Sequence, residues 1–469
     1  MPLQSKKINS SSSLLIPGIF LLSLIYWLYL SLTTRMDIVF DSIGYESLGR
    51  MIYTHGWIDY FKTGPNREPL YPLLISVSMS IEHLTGLAYV RIMAIFGVII
   101  LFLTQVLTYK ILRLLNIRQG ICALVLVYLA ISPSLNNSAF SLYSEITTYP
   151  FILGILLASF YVWESINHAQ KYRALFYSAL LGTLFALTAL VKGVFECIAP
   201  IYLLILFSTI FLMDKKAVAK RISLFTACAI AAVILFYAPI TGFKWLNQHY
   251  NGNFVLTNRG SWLIYGNTAR RTETLTLREL GADLAYTPGA GVCDHFFSQQ
   301  ECDFWSFQTT DRLGLAEQEE LNRQHQHLSL KEMNAAMLHL SIQKVIHDPF
   351  QYFLLSTVEG LRMFFWESTQ IGFVSYPHWL QKIYDIKILN NVLRLALSLL
   401  TCIAVIHLWV TAMIPRKSPL VFLIGVLIFI YIFLFSFVCT LTRYALPIAP
   451  LYLITIGIWI NNLTLKKIN

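Results

Sequence analysis

Apolar runs recur along this chain, separated by short polar turns, and two longer polar stretches interrupt them at 34–87 and 244–386. Each run is close to the roughly 20 residues an α-helix needs to cross about 30 Å of hydrocarbon. None alternates apolar and polar residues as a barrel strand would, which leaves helices as the spanning element. The pattern predicts ten spans, at 14–33, 88–114, 120–136, 143–163, 175–192, 195–213, 222–243, 387–412, 419–439 and 443–462. A further segment, 351–367, carries Glu359, Arg362 and Glu367 and reads as an amphipathic helix lying at the interface.

The first polar stretch has its own pattern. Tyr45, Leu48, Met51 and Ile52 recur at helical spacing, which suggests a short amphipathic helix on the membrane surface. Pro65, Pro69 and Pro72 then break the chain, and Leu70 to Leu84 reads as a second interfacial or shallow helix. The expected architecture is therefore an all-α integral membrane protein with about ten transmembrane helices. It has interfacial helices in the first outer loop and a small mixed extracytoplasmic insert. Residues 1–243 form an N-terminal transmembrane module, 244–386 the insert, and 387–469 the C-terminal helices.

Composition agrees: 56% of residues are hydrophobic and 13% charged, whereas about 25% charged is usual for soluble domains. The net charge of +10 does not point to nucleic acid, because the cations sit in short loops between spans. With a cytoplasmic N-terminus, the inner loops carry Lys6 and Lys7, Arg113 and Arg118, Lys171 and Arg173, Lys215, Lys216, Lys220 and Arg221, Arg416 and Lys417, and Lys466 and Lys467. That is the positive-inside pattern, and it places both termini in the cytoplasm. The first run is too long for a signal peptide core and lacks a small-residue cleavage site before Arg35, so it reads as a retained helix. Of seven cysteines, five lie in apolar runs; Cys293 and Cys302 lie in the insert, where they pair if it faces an oxidising compartment.

Candidate chemistry falls on the outer side. Asp37 and Asp41 follow the first span, four residues apart, and share a face in either a helical or an extended chain. At a dry membrane mouth desolvation raises a carboxyl pKa, which suits a general base; Asp41 also reads as an N-cap of the helix behind it. Arg67 and Glu68 stand at a proline-fixed corner, where the guanidinium fork suits a phosphate or a snorkelling anchor. Glu145 and Lys192 sit at the outer ends of spans, where a charge is costly and points to function, or complements a helix dipole. Arg443 opens the last span against its dipole, a conflict that a phosphate or carboxylate partner would resolve. His325 and His327 have a spacing compatible with a metal but more usual for solvated histidines, and no phosphate-loop, dinucleotide or zinc-protease motif is present.

Taken in order, these pieces resemble the GT-C class of membrane glycosyltransferases, in the bacterial branch related to protein mannosyltransferases and the lipid A aminoarabinose transferase, which implies a bacterial inner membrane. Asp41 and Tyr45 follow the first span, then Gly56-Trp57, then Arg67, Pro69 and Leu70. Ser144-Glu145 opens a later span, Lys192-Gly193 ends another, and Arg443-Tyr444 with Pro447 comes late. The chain departs from the family where Arg-Glu-Pro replaces a lysine-proline-proline corner and where Val191 replaces threonine. The resemblance implies inverting transfer of a sugar from a polyprenyl-phosphate carrier to a glycan, lipid or protein acceptor on the extracytoplasmic side. Asp41 would be the base, with Asp37 a second candidate, and Arg67, Glu145, Lys192, Arg443, Tyr45 and Tyr444 would bind substrate. It leaves a divalent metal open. The competing readings are a lipid-linked sugar flippase or transporter, which predicts acids near mid-membrane, and an O-antigen polymerase or ligase, which relies on Arg and His in a large outer loop.

Overall fold

The computed structural model describes residues 14–213, 221–273, 275–325, 328–367, 374–412 and 418–466. Lys6, Lys7, Lys215, Lys216, Lys220, Arg416, Lys417, Lys467 and His327 lie outside the described residues.

The chain is helical almost throughout. α1 (Leu15–Thr33) leads through the two-residue strand β1 (Arg35–Met36) into three short helices: α2 (Asp41–His55), α3 (Trp57–Lys62) and α4 (Leu70–Thr85). Then come α5 (Tyr89–Leu114), α6 (Gln119–Ile131), α7 (Pro133–Phe140), α8 (Glu145–Asn167), α9 (Lys171–Ala189), α10 (Phe195–Met213) and α11 (Ile222–Asn251). The insert supplies α12 (Gly260–Thr272), α13 (Leu277–Tyr286), α14 (Ala290–Phe296), α15 (Gln299–Phe304), α16 (Phe307–His325), α17 (Leu330–His347) and α18 (Pro349–Gly360), continued by a 3-10 turn over Leu361–Phe364. Strand β2 (Val374–Ser375), α19 (His378–Tyr384), α20 (Lys387–Ala412) and α21 (Pro419–Val438) follow, then a 3-10 segment over Thr442–Ile448 and α22 (Ala449–Lys466).

Nine of these helices, among the described residues, are long and apolar enough to cross a bilayer, and ten cross if the bent pair α6–α7 counts as one span. This is an all-α polytopic membrane protein. The predicted span 120–136 is the one that breaks, with a bend of 46°. Ser132 caps α7 by accepting from Leu135 N, and Pro133 cannot continue the α6 ladder. Glu367 holds the break from outside: Tyr128 and Ser132 donate hydroxyls at 2.7 Å each and Ser134 its N–H at 2.8 Å.

The two helices predicted in the first polar stretch are present, as α2 and α4. β1 pairs antiparallel with β2, Arg35 opposite Ser375, so the first stretch and the insert share one end of the bundle. Arg91 ties the start of α5 to the same end by donating to the carbonyls of Ser31 and Thr34. At the other end Arg221 donates to the carbonyls of Ile166 and Asn167, at the end of α8 where Glu164 pairs with Arg173 at 3.6 Å. In the insert the one strand among the described residues is β2; the rest is helix and turn.

The insert is anchored by a buried ionic knot. Arg270 and Arg271 of α12 both pair with Glu359 of α18, and Arg362 donates to Asp283 of α13 at 2.6 Å. Burial on its own would push the Glu359 carboxyl up, but the surrounding guanidiniums outweigh it and hold it well below the ordinary range. The interfacial reading of 351–367 is thereby corrected. The segment does not cross, but Glu359, Arg362 and Glu367 face protein partners and are almost wholly buried. Alternating charge and apolar residues look the same in sequence whether the polar face meets water or a buried counter-charge.

Cys293 and Cys302 form a disulfide, with Cα atoms 5.8 Å apart. It packs with Ala282, Trp305 and Leu355 in a small core that joins α13, α14 and α15 to α18.

Candidate functional site

The site begins where Phe40, at φ 50°, turns the chain into α2 and makes Asp41 its first residue. The N-cap is Phe40, so Asp41 does not cap the helix. Its carboxylate meets arginines instead. Arg67 Nη2 donates to Oδ1 at 2.6 Å, Arg443 donates to Oδ2, and Arg259 Nη1 stands 3.7 Å from Oδ1. Burial alone would raise the Asp41 pKa, but the charges of Arg443 and Arg67 overcome it and the pKa is lowered. The expectation of a raised pKa is thus corrected: the mouth is dry, yet too cationic for desolvation to win.

Arg67 is 8% exposed, its guanidinium 5.3 Å from the centre of the Tyr45 ring. A snorkelling anchor would reach outward; this side chain points inward. Next along the chain, Glu68 accepts the Gly193 N–H at 2.7 Å, and Leu70 N donates to the Leu190 carbonyl at 3.0 Å. These two bonds fasten the proline corner to the turn between α9 and α10, and so bring Arg67 and Lys192 together across 125 residues of chain.

Lys192 donates to Glu145 Oε1 at 2.9 Å. Glu145, the first residue of α8, is buried, and its Oε2 has no hydrogen-bond partner. Burial alone would lower the Lys192 pKa; Glu145, with Tyr45 and Glu68 behind it, reverses the sign and raises it. Arg443 Nε lies 3.5 Å from Glu145 Oε1, so this one arginine bridges both acids. The carboxylate partner that the helix-dipole conflict called for is therefore present. The Arg443 guanidinium also sits 4.8 Å from the Tyr143 ring and 5.9 Å from that of Tyr444, while Tyr45 bonds Ser144 Oγ at 2.9 Å.

The structure thus gathers Asp41, Tyr45, Arg67, Glu145, Lys192, Arg443 and Tyr444 at one rim. It does not bring Asp37 there. Asp37 pairs with Arg35 at 3.2 Å and accepts from Ser375 Oγ at 2.8 Å, on the strand side of the Phe40 turn. Because the chain turns between the two acids, their four-residue spacing puts them on no common face.

Two members escape sequence reading. Arg259 stands just before α12, and no motif marks it. Asp311 of α16 is the other: it faces Asp41 and Arg67, and its buried Oδ1 has no hydrogen-bond partner. Burial, with help from the Asp41 charge and against that of Arg67, pushes its pKa up to about 6. What places Asp311 is the contact of α12 with α16. A Cβ on Gly266 would overlap the Thr310 carbonyl, and one on Gly314 would strike Trp262.

The cluster has donors to spare. Arg67 Nε and Arg443 Nε are buried with no hydrogen-bond partner. Beside the cluster a cavity of about 360 Å³ is lined by Trp57, Pro69, Leu70, Leu73, Leu190 and Phe243, among others. Pro69 directly follows Glu68, and Leu190 lies two residues before Lys192, so an apolar groove adjoins the cations. Among the described residues no group of three or more His, Cys, Asp or Glu side chains is gathered as a metal site. The paired-histidine reading falls partly on His327, outside the described residues.

Searches of family models, of curated proteins and of solved structures each return no match to this chain.

Proposed function

We propose that this membrane protein is a glycosyltransferase that moves a sugar from a polyprenyl-phosphate carrier to a hydroxyl-bearing acceptor, with inversion. One observation carries the reading: guanidiniums with unused N–H donors, a lysine and a carboxylate meet at a single rim that also borders an apolar groove. The groove suits a polyprenyl chain, and the cations suit its phosphate. Lys192, Arg443 and Arg67 would stabilise the negative charge that gathers on the leaving phosphate as the sugar becomes oxocarbenium-like.

In the resting site Asp41 is a poor base, because its arginines hold it ionised. A donor phosphate would draw Arg67 and Arg443 towards itself and return basicity to Asp41 as the acceptor hydroxyl arrives. The oxygen then attacks the anomeric carbon, the bond to phosphate breaks with its electron pair, and the proton passes to Asp41. The disulfide supports an active side away from the cytoplasm. The basic loops at the opposite end support cytoplasmic termini in a bacterial inner membrane.

Asp41→Asn tests the proposal with two readouts, donor binding and sugar transfer. Binding should persist or tighten, since the arginines lose a competitor, while transfer falls by about 10²–10⁴. Unchanged transfer sinks the reading. A flippase would instead move lipid-linked sugar between leaflets with no glycosidic product, and that readout separates the two classes.

A further inference from the structure

Arg394 lies apart from the site just described. It stands in the third turn of α20, half-buried, and among the described residues its buried Nε has no hydrogen-bond partner and no carboxylate lies within ion-pair distance of the guanidinium. Arg67, Arg270, Arg271, Arg362 and Arg443 each face a carboxylate, and the half-buried Arg91 and Arg221 bond backbone carbonyls. A guanidinium withdrawn from water without a partner is costly, so the position asks for an anion.

The surroundings say which kind. The guanidinium rests on the Thr287–Pro288–Gly289 turn, where a Cβ on Gly289 would lie 3.0 Å from Nη1. One helical turn further along α20, Ser398 and Leu399 join Leu284, Pro288, Leu361 and Phe364 around a cavity of about 360 Å³. Leu361 and Leu399 are 41% and 55% exposed, and they open the groove outward. Its residues are not those of the groove beside Lys192, and none is among the charged partners of Asp41. A cation at the head of an outward apolar groove, at the end of a spanning helix, matches one molecule: a phosphate headgroup with its acyl chain below.

We propose that Arg394 and this groove bind one anionic phospholipid of the surrounding bilayer, with its phosphate on the guanidinium and an acyl chain along Leu284, Leu361 and Leu399. A zwitterionic lipid fits less well. The nearby buried acids, Asp283 and Glu359, both pair with arginines, Asp283 through Oδ1 alone, so neither stands as an uncompensated charge for an ammonium headgroup.

Native mass spectrometry of the full-length protein, drawn from mixed phosphatidylglycerol and phosphatidylcholine vesicles, tests this. The unmodified chain should retain one phosphatidylglycerol in preference to phosphatidylcholine. Arg394→Gln should weaken that retention about tenfold or more, as expected for a charge-assisted contact. Leu399→Trp, which keeps the cation and fills the groove, should weaken it too. Equal retention of both lipids, or retention unchanged by Arg394→Gln, overturns the proposal. So does competition by millimolar inorganic phosphate with no effect of Leu399→Trp, which would mark a bare anion site. Asp41→Asn and Lys192→Met should leave this lipid in place, so the outcome is independent of the transferase reading.

Discussion

Lys192 and Glu145 form a pair in which neither member is tolerable alone. Removing the ammonium in Lys192→Met leaves a buried carboxylate facing Arg443 only, and breaking a buried pair from one side costs about 3–5 kcal/mol. Adding Glu145→Gln should restore most of the thermal stability, since it removes the stranded charge, but not sugar transfer. Melting in detergent and a transfer assay on the single and double variants separate the two effects. Full recovery of transfer would mean the pair is only structural. Asp311 offers a second test at this scale. Its pKa is raised to about 6, so the protonated form is favoured in the fold, and the carboxyl costs stability as pH rises from about 4 through 6. Asp311→Asn should therefore match the parent below about pH 4 and melt higher than it at pH 7.5; a constant gap across that range would remove the ionisation argument. These residues were unequally legible. Arg67, Glu145, Lys192 and Arg443 stand out because charges at span ends are expensive. Arg259 and Asp311 lie in a polar insert, where a charge is unremarkable until packing places it.

Among elements, the helices that the hydropathy pattern marks are where it marks them, because twenty apolar residues have few alternatives in a bilayer. What the pattern misses are the breaks and the tertiary partners. The α6–α7 bend needs Ser132, Pro133 and the distant Glu367 together, and 351–367 hides Glu359 and Arg362 in a knot whose other half lies on α12 and α13. That knot makes a definite demand. Glu359 is the acid shared by Arg270 and Arg271, with Arg362 nearby. Glu359→Gln should cost about 3–5 kcal/mol and loosen the insert first. Hydrogen exchange should show α12 and α18 losing protection while α8 keeps it. Equal loss in all three would mean the insert and the bundle unfold as one unit.

For the whole molecule the prediction concerns which way it faces. The disulfide-bearing insert and the rim lie at one end, and Arg118, Lys171, Arg173 and Arg221 lie at the other. In a background without native free cysteines, Gln299→Cys should react with a membrane-impermeant thiol reagent in intact cells. Gln170→Cys should react only after the membrane is opened. The reverse result would turn the site towards the cytoplasm and remove the lipid-linked donor from the proposal.

The two backbone bonds from Glu68 and Leu70 to the α9–α10 turn also have a mechanical meaning. Leu70, Leu73 and Leu190 wall the groove, and Gly193 and Lys192 ride on the same stitched segment. A hydrocarbon tail that wedges those walls apart must tug the ammonium as well. Tail thickness and branching, features far from any reacting atom, would then register at the headgroup as strain.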